Sequence, residues 1–70
     1  MQRFGEKLRQ LRKRHGLTMI QLNEALHISS QGYLSNLETG RRIPPAELVV
    51  QIADFFQVSL DQLMRDELDL

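Results

Sequence analysis

Residues 34–44 read Leu-Ser-Asn-Leu-Glu-Thr-Gly-Arg-Arg-Ile-Pro and combine the end of a helix with the start of a loop. Leu34 and Leu37 are three positions apart, so they share one face of a short helix and form an apolar stripe. Gly40 stands where a left-handed C-cap is expected. The arginines and prolines that follow, through Pro45, indicate a loop, and proline suits the first position of a further helix.

Apolar residues upstream of this stretch recur at helical spacing. They predict a first helix over about residues 2–14 and a second, short helix over about residues 18–26. Thr18 and Gln21 have the spacing of a capping box at the start of the second helix. The third helix then covers about residues 30–38.

Downstream, the same spacing predicts a strongly apolar fourth helix over about residues 45–56 and a fifth over about residues 59–66. Ser59 and Gln62 repeat the capping-box spacing. No segment alternates between apolar and polar residues as a strand would. Because seventy residues are too few for two folded units, we predict one all-α domain with five helices over residues 1–70.

The charges are unevenly distributed, although the formal net charge is zero. Residues 1–42 contain eight basic and three acidic side chains, whereas residues 43–70 contain one basic and six acidic ones. The basic half could meet phosphate groups, and the acidic half would then face away from them. The alternative is that these charges are only solvated helix faces.

Composition excludes several classes of protein. The chain has no cysteine, no apolar run near the roughly 18 residues of a membrane span, and no apolar core of a signal peptide at its start. We therefore expect it in the cytoplasm. A chain of this size buries only about 60% of its unfolded surface, so tight helix packing or a partner subunit is expected to stabilise it.

Metal binding and catalysis have little support. His15 and His27 lie at predicted helix ends without the further ligands of a zinc site. The serines have capping or surface explanations, no glycine-rich phosphate loop is present, and we expect no cleft of ~300 Å³ or more with a supported triad. We therefore expect no enzyme activity, no metal, no cofactor and no small-molecule ligand.

The short second helix, the turn and the polar third helix after Ile28 form the pattern that places a recognition helix in a major groove. Over about residues 3–64 the chain resembles the XRE-type, phage Cro and lambda-repressor-like helix-turn-helix family. Residues 34–44 are the most specific part of the resemblance. The other matching segments are Leu8 to Arg12, Gly16 to Thr18, Leu22, Ile28-Ser29, Tyr33 and Val58 to Leu63.

The resemblance implies DNA contacts at the start of the second helix, in the first turns of the third and in the loop after it. Gln31 and Asn36 are the best candidates for reading bases, because an amide can donate and accept at once on adenine. Hydroxyls can bond phosphate, and the two loop arginines supply charge. The implied contact residues are Thr18, Met19, Ser30, Gln31, Gly32, Tyr33, Ser35, Asn36, Arg41 and Arg42.

Two of these residues have alternative roles. Tyr33 could lie against the DNA backbone or a thymine methyl, or it could pack beside the second helix. Gly32 costs about 1 kcal/mol inside a helix, which suggests close approach of the backbone to the second helix or to DNA. Ser29 and Ser30 are the candidate N-caps of the third helix.

The family pattern also implies an ion pair between Arg12 and Glu38 that fixes the angle between the first and third helices. The sequence departs from the pattern at three places. Met19 stands where glutamine is usual, so one hydrogen-bonded contact is expected to be missing. Asn23 replaces a small alanine, so the helices sit farther apart or the amide bonds locally, and the turn before the third helix is one residue longer.

A single recognition helix reads few base pairs, so such proteins dimerise on half-sites about one helical turn, ~34 Å, apart. The acidic half offers more apolar surface than a small core needs. The candidate dimer residues are Phe55, Phe56, Leu60, Met64 and Leu68, with Leu70 at the end of the tail. Alternatively, the phenylalanines are core residues and the tail is disordered.

We therefore expect a sequence-specific regulator of bacterial or phage type that binds double-stranded DNA through residues 30–38. It would act as a homodimer on a palindromic operator, with repression as the expected effect. The alternative is a helix-turn-helix fold used as a protein-interaction or antitoxin module. Salt separates the two, because phosphate contacts weaken steeply between about 50 and 200 mM salt and an apolar protein interface does not.

Overall fold

The helices of the chain follow one another without any intervening strand in residues 1–30 and 32–70, which the computed structural model describes. The prediction of an all-α fold with five helices in this order is confirmed. They are α1 (Phe4–Arg14), α2 (Met19–Ala25), α3 (Tyr33–Glu38), α4 (Ala46–Phe56) and α5 (Leu60–Met64).

Two short helices begin at the capping boxes that the sequence predicts. The Thr18 hydroxyl accepts a hydrogen bond from the Gln21 amide at 3.1 Å, and the Gln21 side chain accepts one from the Thr18 amide at 2.9 Å. Ser59 and Gln62 form the same reciprocal pair at 3.0 Å in both directions. Each box satisfies two amides that have no partner inside the helix.

The start of α3 differs from the prediction. Its N-cap is Gly32, in a left-handed conformation at φ 83°, so neither Ser29 nor Ser30 caps the helix and the first helical residue is Tyr33. A Cβ added to Gly32 would meet nothing within 4 Å among the described residues. Of the two alternatives for Gly32, close approach to the second helix is therefore wrong among the described residues, and the positive φ explains the glycine.

Buried apolar side chains from all five helices form one core. Ile52, at the middle of α4, is fully buried, as expected for the most apolar helix. The helices α1 and α3 lie in close contact at Gly5 on α1, where an added Cβ would lie 2.5 Å from two backbone oxygens of α3. The core residues are Phe4, Leu8, Leu11, Leu22, Leu26, Leu34, Leu37, Leu48, Val49, Ile52, Ala53, Phe56 and Leu63.

A lysine lies inside this core. Lys7 is fully buried on α1, and its ammonium donates hydrogen bonds to the backbone oxygens of Gln62 and Arg65 at 2.5 and 2.8 Å. The Gln62 oxygen belongs to α5 and the Arg65 oxygen to its C-cap residue, so the positive charge lies at the end of the helix where it also interacts favourably with the dipole. Lys7 therefore acts as the C-terminal cap of α5.

The segment after α5 folds back onto the start of α1. The Asp66 carboxylate accepts hydrogen bonds from the backbone amides of Gln2 and Arg3 at 3.0 and 2.9 Å. The Arg3 guanidinium donates in turn to the Asp66 backbone oxygen and to Asp69. This explains why α5 ends at Met64 and not at residue 66, and it shows that the alternative of a disordered tail is wrong.

Within the described part of the chain, none of the helices has the length and apolar character needed to cross a membrane.

Candidate nucleic-acid interface

The helices α2 and α3 pack against each other through a pair of leucines on each. Leu22 and Leu26 on one side and Leu34 and Leu37 on the other are at most 3% exposed. Between the helices the chain turns through His27, which takes a left-handed conformation at φ 57°. This packing buries one face of α3 and leaves the opposite face at the surface.

The surface of α3 carries the polar residues that the sequence analysis singled out. Ser35 is exposed and Asn36 is half-buried. The Asn36 side chain makes no hydrogen bond within residues 1–30 and 32–70, which leaves its amide available as both donor and acceptor. Gln31 lies outside the described residues.

The loop after α3 folds back against the same helix. The backbone amides of Arg41 and Arg42 both donate to the backbone oxygen of Asn36, at 2.9 and 3.2 Å. Gly40 makes this reversal possible with a left-handed φ of 81°. Both arginines are exposed, so the fold places two positive charges beside the surface face of α3.

Arg42 also contacts an aromatic ring. Its guanidinium carbon lies 5.8 Å from the centre of the Tyr33 ring, within the range of a cation–π interaction. Tyr33 is half-buried and packs against the hydrophobic core. The ring therefore provides a fixed platform for the Arg42 side chain at the first residue of α3.

Arg12 and Glu38, the pair implied by the family resemblance, form a bidentate ion pair. Arg12 Nε and Nη2 donate to the two Glu38 carboxylate oxygens at 2.7 and 3.2 Å, and Nη1 donates to the Leu17 backbone oxygen at 3.1 Å. The Arg12 and Glu38 side chains are only 14% and 5% exposed. The hydrogen bond to Glu38 raises the pKa of Arg12. This pair ties the end of α1 to the end of α3.

The start of α2 holds two of the implied contact residues in different environments. Thr18 is exposed, and its hydroxyl accepts from Gln21 while keeping its own proton free to donate. Met19 is half-buried and packs against the core, so the methionine contributes apolar contact where the family usually has glutamine. The Asn23 side-chain oxygen is buried without a partner in the described residues, so it does not form the local hydrogen bond considered above.

The proposed dimer residues do not all lie at the surface. Phe55, Leu60 and Met64 are between 40% and 44% exposed. Phe56 is 4% exposed and continues the buried stripe of α4, so its assignment to a dimer surface is wrong. Leu68 is half-buried in the segment that folds back onto α1.

A groove of about 420 Å³ lies between the start of α1 and the loop after α3. This volume exceeds the ~300 Å³ named in the sequence-based expectation of no cleft with a supported triad. The groove lining includes no histidine, serine or carboxylate from the described residues. The described residues also contain no group of three His, Asp or Glu side chains that could hold a metal. The lining residues are Met1, Gln2, Phe4, Gly5, Leu37, Gly40, Arg42, Ile43 and Pro44.

The two-helix unit, its polar outer helix and the basic loop correspond to a known family. A helix-turn-helix family model matches residues 8–63. The chain belongs to this family. The XRE-type resemblance found in the sequence is thereby confirmed, and the matched segment runs from α1 to α5.

Three curated relatives carry the same type of domain. The HTH-type transcriptional activator BcrR of Enterococcus faecalis is 41% identical over 64 residues, which cover 91% of this chain and 31% of BcrR. The uncharacterised HTH-type transcriptional regulator YobD of Bacillus subtilis is 39% identical over 61 residues, 87% of this chain and 54% of YobD. A third relative, the uncharacterised HTH-type transcriptional regulator YazB of Bacillus subtilis, is 34% identical over 64 residues, which cover 91% of this chain and 91% of YazB.

The chain thus spans about a third of BcrR and about half of YobD. No solved structure gives a significant match. The family and the names of these relatives indicate a domain of the DNA-binding, transcription-regulator type.

Proposed function

We propose that the helix-turn-helix chain inserts α3 into the major groove of double-stranded DNA and binds a specific sequence. One observation carries the proposal: the backbone bonds from Arg41 and Arg42 to Asn36 hold a basic loop and the polar face of α3 on one surface. A polar helix that reads base edges and flanking charges that neutralise phosphates are the two requirements of sequence-specific binding.

The roles in this complex follow from the side-chain chemistry. Asn36 reads adenine through its amide, and Gln31 has the same proposed role. Hydroxyls donate to phosphate oxygens, and the two arginines release counterions. Met19, Gly32 and Tyr33 supply close contact at the edges of this surface. The proposed phosphate contacts are Thr18, Ser30, Ser35, Arg41 and Arg42.

The test is selection of binding sites from a randomised duplex pool with the purified protein at about 50 and 200 mM salt. We expect one enriched sequence and an affinity that falls steeply with salt. Weak binding that disappears at the higher salt without any enriched sequence would contradict the proposal and favour a protein partner, as in the antitoxin alternative.

Replacing the amide of α3 tests base reading directly. Asn36→Ala is expected to cost about 1–3 kcal/mol on the selected site and little on unrelated duplexes, because the amide contact is made only with the correct base. Gln57→Asn, an exposed amide at the far end of α4, is the control and should leave binding unchanged. Equal losses on all duplexes for Asn36→Ala would show that Asn36 does not read a base.

We also propose that the protein acts as a homodimer on a palindromic site. Phe55, Leu60 and Met64 expose apolar surface in the acidic half, and residues 59–70 contribute to the contact. Met64→Asp is expected to lower the mass measured by light scattering at micromolar concentration. Ile20→Asp places the same charge on an exposed α2 side chain and should leave the mass unchanged. A monomeric wild-type protein on its selected DNA would contradict the dimer.

Repression in the cytoplasm is the proposed biological effect, since a protein bound over a promoter excludes polymerase by occupancy alone. A reporter gene placed behind the selected site is expected to lose expression when the protein is supplied. Increased expression would instead indicate an activator, the role that the name of BcrR states for that relative.

A further inference from the structure

We infer that Arg42 is a base-reading residue and that Tyr33 positions it, a refinement that rests on the proposed DNA-binding function. The proposed function assigns both loop arginines to phosphate; Arg42 is here reassigned to a base, and Arg41 remains on phosphate. The two arginines are neighbours in the sequence, but in the described residues only the Arg42 side chain contacts an aromatic ring.

The path of Arg42 leads it onto α3. Its backbone amide is held by the Asn36 oxygen at 3.2 Å, and its guanidinium lies 5.8 Å from the ring centre of Tyr33. Tyr33 precedes Asn36 by three residues, about 4.5 Å along a helix axis. The Arg42 guanidinium therefore lies beside the side chain of the first residue of α3, the turn whose residues contact base edges in a recognition helix.

The contact with the Tyr33 ring leaves the hydrogen-bonding groups of Arg42 available. The guanidinium carries five N–H donors in a planar fork. Within the described residues these donors have no hydrogen-bond or ion-pair partner. Guanine presents two acceptors, O6 and N7, at the spacing that an arginine fork fits. The geometry therefore favours guanine as the base that Arg42 reads.

Tyr33 reduces the entropy cost of this contact. A free arginine side chain loses much rotamer freedom when it binds one base, and a side chain already stacked on a ring loses less. The Tyr33 ring is itself fixed by packing against the core. Arg41 is exposed and has no aromatic platform in the described part of the chain, which suits a mobile contact with phosphate.

The experiment compares Arg42→Ala with its neighbour Arg41→Ala on the selected site and on single-base variants of it. For Arg42→Ala we expect the preference for guanine at one position to fall roughly 5- to 150-fold, with the preferences at other positions retained. For Arg41→Ala we expect equal weakening on every duplex and a shallower salt dependence.

Two substitutions test the positioning role of Tyr33. Tyr33→Phe keeps the ring and should keep the guanine preference. Tyr33→Leu keeps apolar packing without the ring and should lower the same preference at the same position, but less than Arg42→Ala does. Thermal unfolding followed by circular dichroism verifies that each variant is folded.

The possible results distinguish the base-reading role of Arg42, the positioning role of Tyr33 and the proposed function itself. Arg42→Ala behaving like Arg41→Ala would place Arg42 on phosphate and overturn the base-reading role while leaving the proposed function intact. An unchanged guanine preference in folded Tyr33→Leu would overturn the positioning role alone. Absence of sequence-specific binding by the wild-type protein would overturn the proposed function and this inference together.

Discussion

Gly5 lies where α1 touches the backbone of α3. A Cβ at this position would lie 2.5 Å from the backbone oxygens of both Leu37 and Glu38. Alanine usually stabilises a helix relative to glycine by about 1 kcal/mol, but here the methyl would push the two helices apart. We expect Gly5→Ala to lower the free energy of unfolding by about 1–3 kcal/mol in urea titrations. Gln10→Ala, on the exposed side of α1, should change it by less than about 0.5 kcal/mol.

The ion pair between Arg12 and Glu38 should be costly to break from one side. Removing Arg12 would leave a carboxylate that is only 5% exposed without its partner. We expect Arg12→Met to lower the free energy of unfolding by about 2–4 kcal/mol. The double variant Arg12→Met with Glu38→Leu should recover part of that loss, because neither charge is then left unpaired. A double variant as unstable as the sum of its single variants would contradict this coupling.

Sequence reasoning found some of these residues and missed others for a physical reason. The ion pair came from the family pattern, whereas Gly5 and Lys7 were not singled out. The spacing of Phe4, Lys7, Leu8 and Leu11 does place the lysine on the buried face of α1, so a signal existed. The spacing could not identify the hydrogen-bond acceptors of Lys7, because the backbone oxygens of Gln62 and Arg65 lie 55 and 58 positions away in the sequence.

At the level of elements, α5 depends on contacts at both ends. It has five residues, begins at the Ser59 capping box and ends at the Lys7 ammonium. A helix this short is not stable alone. We expect Lys7→Met to cost about 1–3 kcal/mol, because two partly buried carbonyls lose their donor, and to speed hydrogen exchange first in α5. Arg9→Met on the exposed side of α1 is the matched control. Uniform acceleration over all helices would indicate a global effect and not loss of a cap.

The five elements were predictable, but their ends were predictable only where a local signal exists. Both capping boxes lie within four consecutive residues, and both helices begin where the sequence predicts. The start of α3 was placed too early because Ser29 and Ser30 resemble caps, whereas the left-handed turn at Gly32 sets the boundary. The types of residue at the interface were predictable from the sequence. The contact between Arg42 and the Tyr33 ring was not, because it depends on tertiary packing.

At the scale of the whole molecule, Asp66 makes stability depend on pH. Backbone hydrogen bonds from Arg3 and Gln2 lower the pKa of Asp66 below its ordinary value of 3.8. A lowered folded-state pKa contributes stability above the unfolded-state pKa, and that contribution disappears as pH falls through the folded-state value. We expect wild type to have a larger free energy of unfolding than Asp66→Asn. The difference should be constant from about pH 5 to 7 and should shrink below pH 3.8. A difference between wild type and Asp66→Asn that stays the same below pH 3.8 would contradict this linkage.

The bonds between Asp66 and the start of α1 join residues that are 63 and 64 positions apart. During translation, Asp66 is synthesised 63 residues after Arg3 and 64 after Gln2. The amides at the start of α1 therefore cannot form these bonds until the chain has grown past all five helices. A nascent chain that stops before Asp66 would contain all of α5 but would lack the carboxylate that accepts from the amides at the start of α1. We expect folding to finish only after translation has passed this aspartate.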